Sequence, residues 1–157
     1  RKAVGSQFPI IFRFSQWKTG HYDAKLARTP VELEDFLTPL TEAGVDIFDC
    51  STRRFWEPEF EGSRLNLAGW TKKLTGKPAI SVGSVGLNRE FTNVFDGGPE
   101  AETASIEPLV ERMQAGEFDL IAVGRALLAD AEWAQKIHHS REKEIRQFTK
   151  EALQSLS

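Results

Sequence analysis

Four short runs of β-branched and aromatic residues punctuate the chain: Pro9–Phe14 (PIIFRF), Val45–Ser51 (VDIFDCS), Pro78–Val82 (PAISV) and Asp119–Val123 (DLIAV). Each is bounded by Gly, Pro or Asp and reads as a buried strand. Their apolar character is nearly continuous, without strict alternation, which points to a parallel sheet covered on its outer face. The segments between them carry helical spacing. The first has a marked start, with Thr29 as N-cap, Pro30 in the first helical position and Glu32 three residues after the cap. Leu33, Phe36, Leu37, Leu40 and Ala43 then recur on one face, and Gly44 is a natural stop. Pro39 lies inside this pattern and is expected to kink or split the helix. A later helix is expected from near Ser105 through Leu109, Val110 and Met113 to Gly116. The charged stretch from 132 to 156, with Trp133, Ile137, Ile145, Phe148, Ala152 and Leu156 as apolar members, reads as one or two surface-packed helices.

Two segments echo each other. Glu42-Ala43-Gly44-Val45-Asp46-Ile47-Phe48 and Gln114-Ala115-Gly116-Glu117-Phe118-Asp119-Leu120 both run from a helix end through Ala-Gly to an Asp and an apolar strand. Repeated helix-to-strand joints look like this. Strand starts near residues 10, 46, 79 and 119 are spaced by about 33–40 residues. A (β/α)8 barrel has one unit per roughly 31 residues, lengthened by insertions. The α/β pattern is therefore four βα units, half of a (β/α)8 TIM barrel, occupying residues 1–157 as a single partial domain. The competing architecture is a self-contained open sheet of flavodoxin type.

Composition adds limits. At 157 residues, 40% apolar and 27% charged, the chain is ordinary for a soluble globular protein. No apolar run approaches the ~20 residues that span a bilayer, and no export signal is visible, so neither a membrane nor secretion is expected. The formal charge of −3 is spread along the chain, and Arg53-Arg54 is a pair and not a basic patch, so no nucleic acid is expected. The single cysteine, Cys50, cannot form an internal disulfide or a cysteine-rich metal site, which fits a cytoplasmic location. The chain starts at Arg1 and enters a strand-like run almost at once, as a piece of a longer protein would.

The candidate chemistry lies at strand ends. Ser81-Val82-Gly83-Ser84-Val85-Gly86 and Val123-Gly124-Arg125-Ala126-Leu127-Leu128-Ala129-Asp130 follow the last two strands. In (β/α)8 barrels the loops after the last two strands often build a phosphate site. Glycine lets backbone N–H groups approach an anion, a helix N-terminus adds donors, and Arg125 supplies a forked cation. Each glycine alone could simply turn the chain, with Arg125 a solvated cap. Arg13 is a second anomaly, because it interrupts an apolar strand. It either faces a ligand or pairs structurally with Asp46, Asp49 or a partner strand. Cys50 has no companion base and reads as a core residue.

Phe12-Arg13-Phe14-Ser15, Val82-Gly83-Ser84, Gly124-Arg125 and the following Ala126–Trp133 (ALLADAEW) together resemble the Old Yellow Enzyme family of NAD(P)H:flavin oxidoreductases. The resemblance covers essentially the whole chain, as strands 5 to 8 of that family's barrel. It implies an FMN-dependent ene-reductase type of parent protein. Hydride would pass from NAD(P)H through the flavin to an activated alkene such as an α,β-unsaturated carbonyl. Arg13 would lie against the flavin ring near N1 and the C2 carbonyl, while Gly83, Ser84, Gly124 and Arg125 would hold the FMN phosphate. The long segment Thr52–Trp70 would bring Phe55 or Trp56 over the substrate side, unless both merely pack on the barrel rim. The stretch from 91 to 105, with Asp96-Gly97-Gly98-Pro99, shows no chemistry. No catalytic residue is expected in this half, since the family's carbonyl-binding pair and proton-donating tyrosine come from strands 1 to 4. Tyr22, His21, His138 and His139 fall at no matching place, and no metal site is expected. The partners implied are FMN, a small-molecule substrate and the missing N-terminal half-barrel, with self-association through unpaired edges. The alternatives are a non-catalytic half-barrel binding a phosphate-bearing ligand, or another phosphate-binding TIM-barrel protein in which Arg13 pairs only structurally.

Overall fold

The computed structural model describes residues 1–18, 20–21, 23–91 and 97–154. Tyr22, Asp96 and Leu156, singled out above, lie outside the described residues. Four strands, β1 (Ile11–Ser15), β2 (Ile47–Ser51), β3 (Ala79–Val82) and β4 (Leu120–Ala122), form one parallel sheet in the order β1-β2-β3-β4. That sequential order rules out the open flavodoxin-type sheet, whose strand order reverses at a switch point. The chain is an α/β half-barrel.

Helix α1 (Pro30–Glu42) starts as its sequence signals. The Thr29 hydroxyl accepts from the Glu32 N–H at 3.2 Å, and the Glu32 carboxylate accepts from the Arg28 N–H at 2.7 Å. Pro39 does not split α1. It stands in the last turn, where the ladder bond it removes is one of the last, and the helix continues to Glu42. Helix α2 (Leu67–Thr75) begins within the long segment Thr52–Trp70 and runs past its end, where the sequence predicts no helix. Its run, LAGWTKKLT, carries a glycine at its third position, though Leu67, Trp70 and Leu74 recur at helical spacing. Its start is fixed by the Asn66 side chain, which accepts from the Gly69 N–H at 2.9 Å. Helix α3 (Glu107–Gln114) precedes β4, and the short helices α4 (Arg125–Ala129) and α5 (Trp133–His138) follow it. Of the one or two helices expected from 132 to 156, the described residues form α5 alone. Beyond α5 the chain makes only two 3-10 turns, Glu142–Glu144 and Lys150–Leu153, with Phe148 fully buried between them. One apolar anchor holds this tail, and an anchor needs no helical stripe.

The two echoing joints are the same device. At each helix end the glycine is left-handed, with φ +97° at Gly44 and +75° at Gly116. Its N–H bonds back to Thr41 or Met113, and the next N–H bonds back to Leu40 or Arg112. This is the paired-bond Schellman stop. The aspartate two residues after Gly44, or three after Gly116, then reaches across to the neighbouring strand start. Asp46 accepts from the Ile10 N–H at 2.8 Å, and Asp119 accepts from the Ala79 N–H at 3.0 Å. Each joint therefore ends one helix and fixes the register of the next strand.

Strand alternation gives the sheet two unlike faces. Phe12, Phe14, Phe48, Cys50, Ala79 and Ser81 face the helices, where Phe14 meets Phe36 of α1 at 5.5 Å between ring centroids. The opposite face carries Ile11, Arg13, Asp49, Ile80, Val82 and Leu120 and has no covering layer among the described residues: Ile11 is 55% exposed and Leu120 47%. In a closed barrel this face is the interior.

Candidate functional site

The C-terminal tips of all four strands surround one cavity of about 410 Å³. Arg13, Gly83, Ser84, Gly124 and Arg125 all line it. The five residues picked from the sequence thus meet at one place, from three stretches of the chain, with Gly83 70 residues after Arg13 and Gly124 40 after Ser84.

Gly83 is there because nothing larger fits. Its φ is +143°, and a Cβ would lie 2.6 Å from the Thr52 hydroxyl and 2.7 Å from the Thr52 carbonyl. The β2 loop is laid directly on the β3 tip: Thr52 donates to the Val82 carbonyl through its N–H at 3.1 Å and its hydroxyl at 2.6 Å, and the Phe55 N–H donates to Gly83 at 3.1 Å. Ser84 is left-handed too, at φ +52°. Its one hydroxyl proton is shared between the carbonyls of Arg53 and Arg89, each 2.9 Å away.

Arg125 is no solvated cap. It is 9% exposed, and its guanidinium donates to the carbonyls of Arg89 at 2.5 Å and Glu90 at 3.3 Å and to the Ser84 hydroxyl at 3.4 Å. The rings of Phe91 and Phe148 lie 5.8 and 5.6 Å from it. Every one of these partners is neutral. Among the described residues no carboxylate oxygen comes within 4.0 Å of Arg125. Burial pushes its pKa down from the usual value, with the Glu90 carboxylate opposing from further away. A buried cation without a counter-ion is costly, and this one forms a cavity wall. The helix it opens, α4, has only five residues, so its dipole adds little to the attraction for an anion.

Arg13 stands opposite Asp49 in the β1–β2 register, 3.7 Å from its carboxylate, with the Ser51 hydroxyl at 3.4 Å. The arginine side chain remains 60% exposed, toward the uncovered face. Asp49 is the more enclosed partner. Burial raises its pKa, Arg13 lowers it, and burial wins. Its Oδ1 is buried without a hydrogen-bond partner among the described residues.

Phe55 and Trp56 do not line this cavity. They stack edge to face at 5.1 Å and border a separate space of about 250 Å³ with Leu87, Ala104 and Pro108. The Phe55 carbonyl accepts from Asn66 and Arg112, so the aromatic pair packs on the rim side of the β2 loop. Sequence reasoning missed Trp17, Thr52, Arg53, Phe91 and Leu153 as cavity walls. Thr52 and Arg53 could have been found, since they follow a strand tip just as Gly83-Ser84 does. Leu153 could not, because only the folded tail brings it back. Cys50 is fully buried on the helix side, and burial pushes its thiol up to about 12, despite a hydrogen bond with Thr71. His138 and His139 stack on each other at the end of α5, and among the described residues no group of three metal-ligating side chains forms.

A larger cavity of about 630 Å³ lies on the outer side, between α2 and α3. Its lining mixes both signs, with Glu111 and Glu117 among the cations: Arg112 pairs with Glu117 at 2.7 Å and Lys72 with Asp119 at 2.8 Å. Among the described residues the strand-tip cavity has cations in its lining and no carboxylate.

A sequential parallel sheet with helices on one face and its cavity at the strand tips is half of a (β/α)8-barrel enzyme fold. The chain is 32% identical over 156 residues to the NADH oxidase of Thermoanaerobacter brockii, an alignment covering 93% of this chain and 20% of that protein. Histamine dehydrogenase from Rhizobium sp. 4-9 shares the fold at a TM-score of 0.56 and 24% identity, over 93% of this chain and 19% of that one. The 6-hydroxypseudooxynicotine amine oxidase of Pseudomonas geniculata N1 does so at 0.51 and 24%, over 92% and 19%. The chain therefore spans about a fifth of the length of the proteins it matches. No family model matches it. Among the described residues no helix is long and apolar enough to cross a membrane.

Proposed function

We propose that the protein to which this chain belongs is an FMN-dependent oxidoreductase that accepts hydride from NAD(P)H and delivers it to an activated alkene such as an α,β-unsaturated carbonyl. One observation carries this reading: five residues from three distant stretches line a single cavity that ends in a buried cation with no carboxylate oxygen within 4.0 Å among the described residues. The similarity to an NADH oxidase supports redox chemistry with a nicotinamide. The cavity also has the size of a small-molecule site.

The residues fit an FMN phosphate. Arg125 would hold it with a guanidinium that has only neutral protein partners. The backbone at Gly83-Ser84 and Gly124 would meet it where side chains are absent or turned away. When bound, the flavin supplies hydride transfer between the nicotinamide and the alkene. Arg13, on the uncovered face, would hold a fixed positive charge beside the ring, and its 3.7 Å contact with Asp49 is loose enough to leave that charge available. The groups that bind the substrate carbonyl and donate the proton would come from the four strands that complete the barrel. Alone, the 157 residues should therefore bind the cofactor weakly and turn over no substrate.

FMN fluorescence, titrated against this chain and against the longer protein, tests the reading. Quenching that saturates, tighter with the longer protein, is expected. A longer protein that purifies colourless and leaves flavin fluorescence unchanged would refute it.

A further inference from the structure

We propose that Arg53, two residues beyond the tip of β2, is a second cationic ligand for the phosphate monoester that Arg125 faces, and that Glu90 is the residue that positions it. The inference rests on the phosphate reading of the strand-tip cavity but not on the ligand being a flavin.

Arg53 lines the same cavity as Arg125. Ser84 links the two residues directly: its hydroxyl donates to the Arg53 carbonyl and accepts from the Arg125 guanidinium. Glu90 links their side chains. It is 8% exposed, and its carboxylate meets the Arg53 Nε at 3.3 Å and an Arg54 nitrogen at 3.0 Å, while its carbonyl accepts from Arg125 at 3.3 Å. Arg54 also pairs with Glu57. Arg53 and Arg54 thus share the Glu90 carboxylate, while Arg125 meets only the Glu90 main chain, with no carboxylate oxygen within 4.0 Å among the described residues. Among the described residues the wall itself carries three arginines, Arg13, Arg53 and Arg125, and no carboxylate.

This arrangement discriminates between ligands. A neutral or apolar occupant would leave the Arg125 charge buried and unmatched. A phosphate monoester brings nearly two negative charges at neutral pH and oxygens suited to forked donors from two sides. Through its 3.3 Å contact with Nε, Glu90 would hold the Arg53 side chain at the cavity wall. Arg54 is held by the same carboxylate yet does not line the cavity, so the two adjacent arginines have different work.

The test compares wild-type chain with Arg53→Met, Arg53→Lys and Glu90→Gln, titrated with FMN, riboflavin and inorganic phosphate. Arg53→Met should weaken FMN about ten- to hundredfold and leave riboflavin, which lacks the phosphate, unchanged. Arg53→Lys should recover part of the loss, because charge returns without the fork. Glu90→Gln should weaken FMN less and make its binding more sensitive to salt. If wild type binds no flavin but inorganic phosphate raises its melting temperature in an Arg53-dependent way, the flavin reading fails and this one stands. FMN or phosphate binding as tight in a folded Arg53→Met as in wild type, or equal losses for FMN and riboflavin, would overturn it.

Discussion

Gly83 and Arg125 carry the site at the residue scale for opposite reasons. Gly83 is defined by what its Cβ would strike, the Thr52 main chain at 2.7 Å. Replacing it with alanine adds both that clash and a φ of +143° that side chains avoid. Strain of this kind costs about 1–3 kcal/mol. Urea unfolding of Gly83→Ala should show a loss of that size, and an unchanged midpoint would mean the β2 loop can lift away. Arg13 separates the flavin reading from a merely structural one. Arg13→Met in the longer protein should lower the flavin reduction potential, measured by dye-coupled reduction, because a positive charge is removed from beside the reduced ring. An unchanged potential with lowered stability would assign Arg13 to its pair with Asp49 alone. Gly83, Gly124 and Arg125 were legible in the sequence because strand tips in this fold are where chemistry collects. The buried surroundings of Arg125 were not, since Arg89, Glu90 and Phe148 reach it only in the folded chain.

Among the elements, the C-terminal tail is tied down by one buried pair. Asp130 accepts from the Lys136 ammonium at 2.7 Å and from the N–H groups of Arg146 at 2.9 Å and Glu132 at 3.1 Å. Burial alone would raise the Asp130 pKa, but these three donors outweigh it and the carboxyl is held below its usual value. A depressed folded pKa adds stability that is complete above the unfolded value of about 3.9 and disappears as pH falls through the folded one. Tail release, followed by limited proteolysis after residue 140, should therefore appear only in acid, below about pH 4. Asp130→Ala would strand the Lys136 charge, and breaking a buried pair in this way costs about 3–5 kcal/mol. A variant as stable as wild type would show that Lys136 escapes to water. The sequence disclosed α1 and both Schellman joints because capping residues write such features locally. It did not disclose α2, whose cap is a lone Asn66, or the helix-poor tail, whose anchor Phe148 lies far in sequence from the Leu87 and Ala101 it packs with.

Across the whole molecule, the dominant fact is an uncovered sheet face with two free edges. β1 and β4 each lack one neighbour among the described residues, and Ile11 and Leu120 lie open on that face. Edges of this kind pair with other chains. Sedimentation of the isolated chain should show self-association that grows with concentration, and charged substitutions at Ile11 and Leu120 together should reduce it. A stable monomer over a wide concentration range would contradict this.

The strand order β1-β2-β3-β4 has a temporal consequence as well. Each strand lands only on the one made just before it, so the sheet can grow in step with synthesis, without waiting for distant partners. The tip bearing Gly124 and Arg125 comes after the other three, and the tail that brings Leu153 to the cavity wall comes later still, so the strand-tip cavity stays open until residue 153 has left the ribosome.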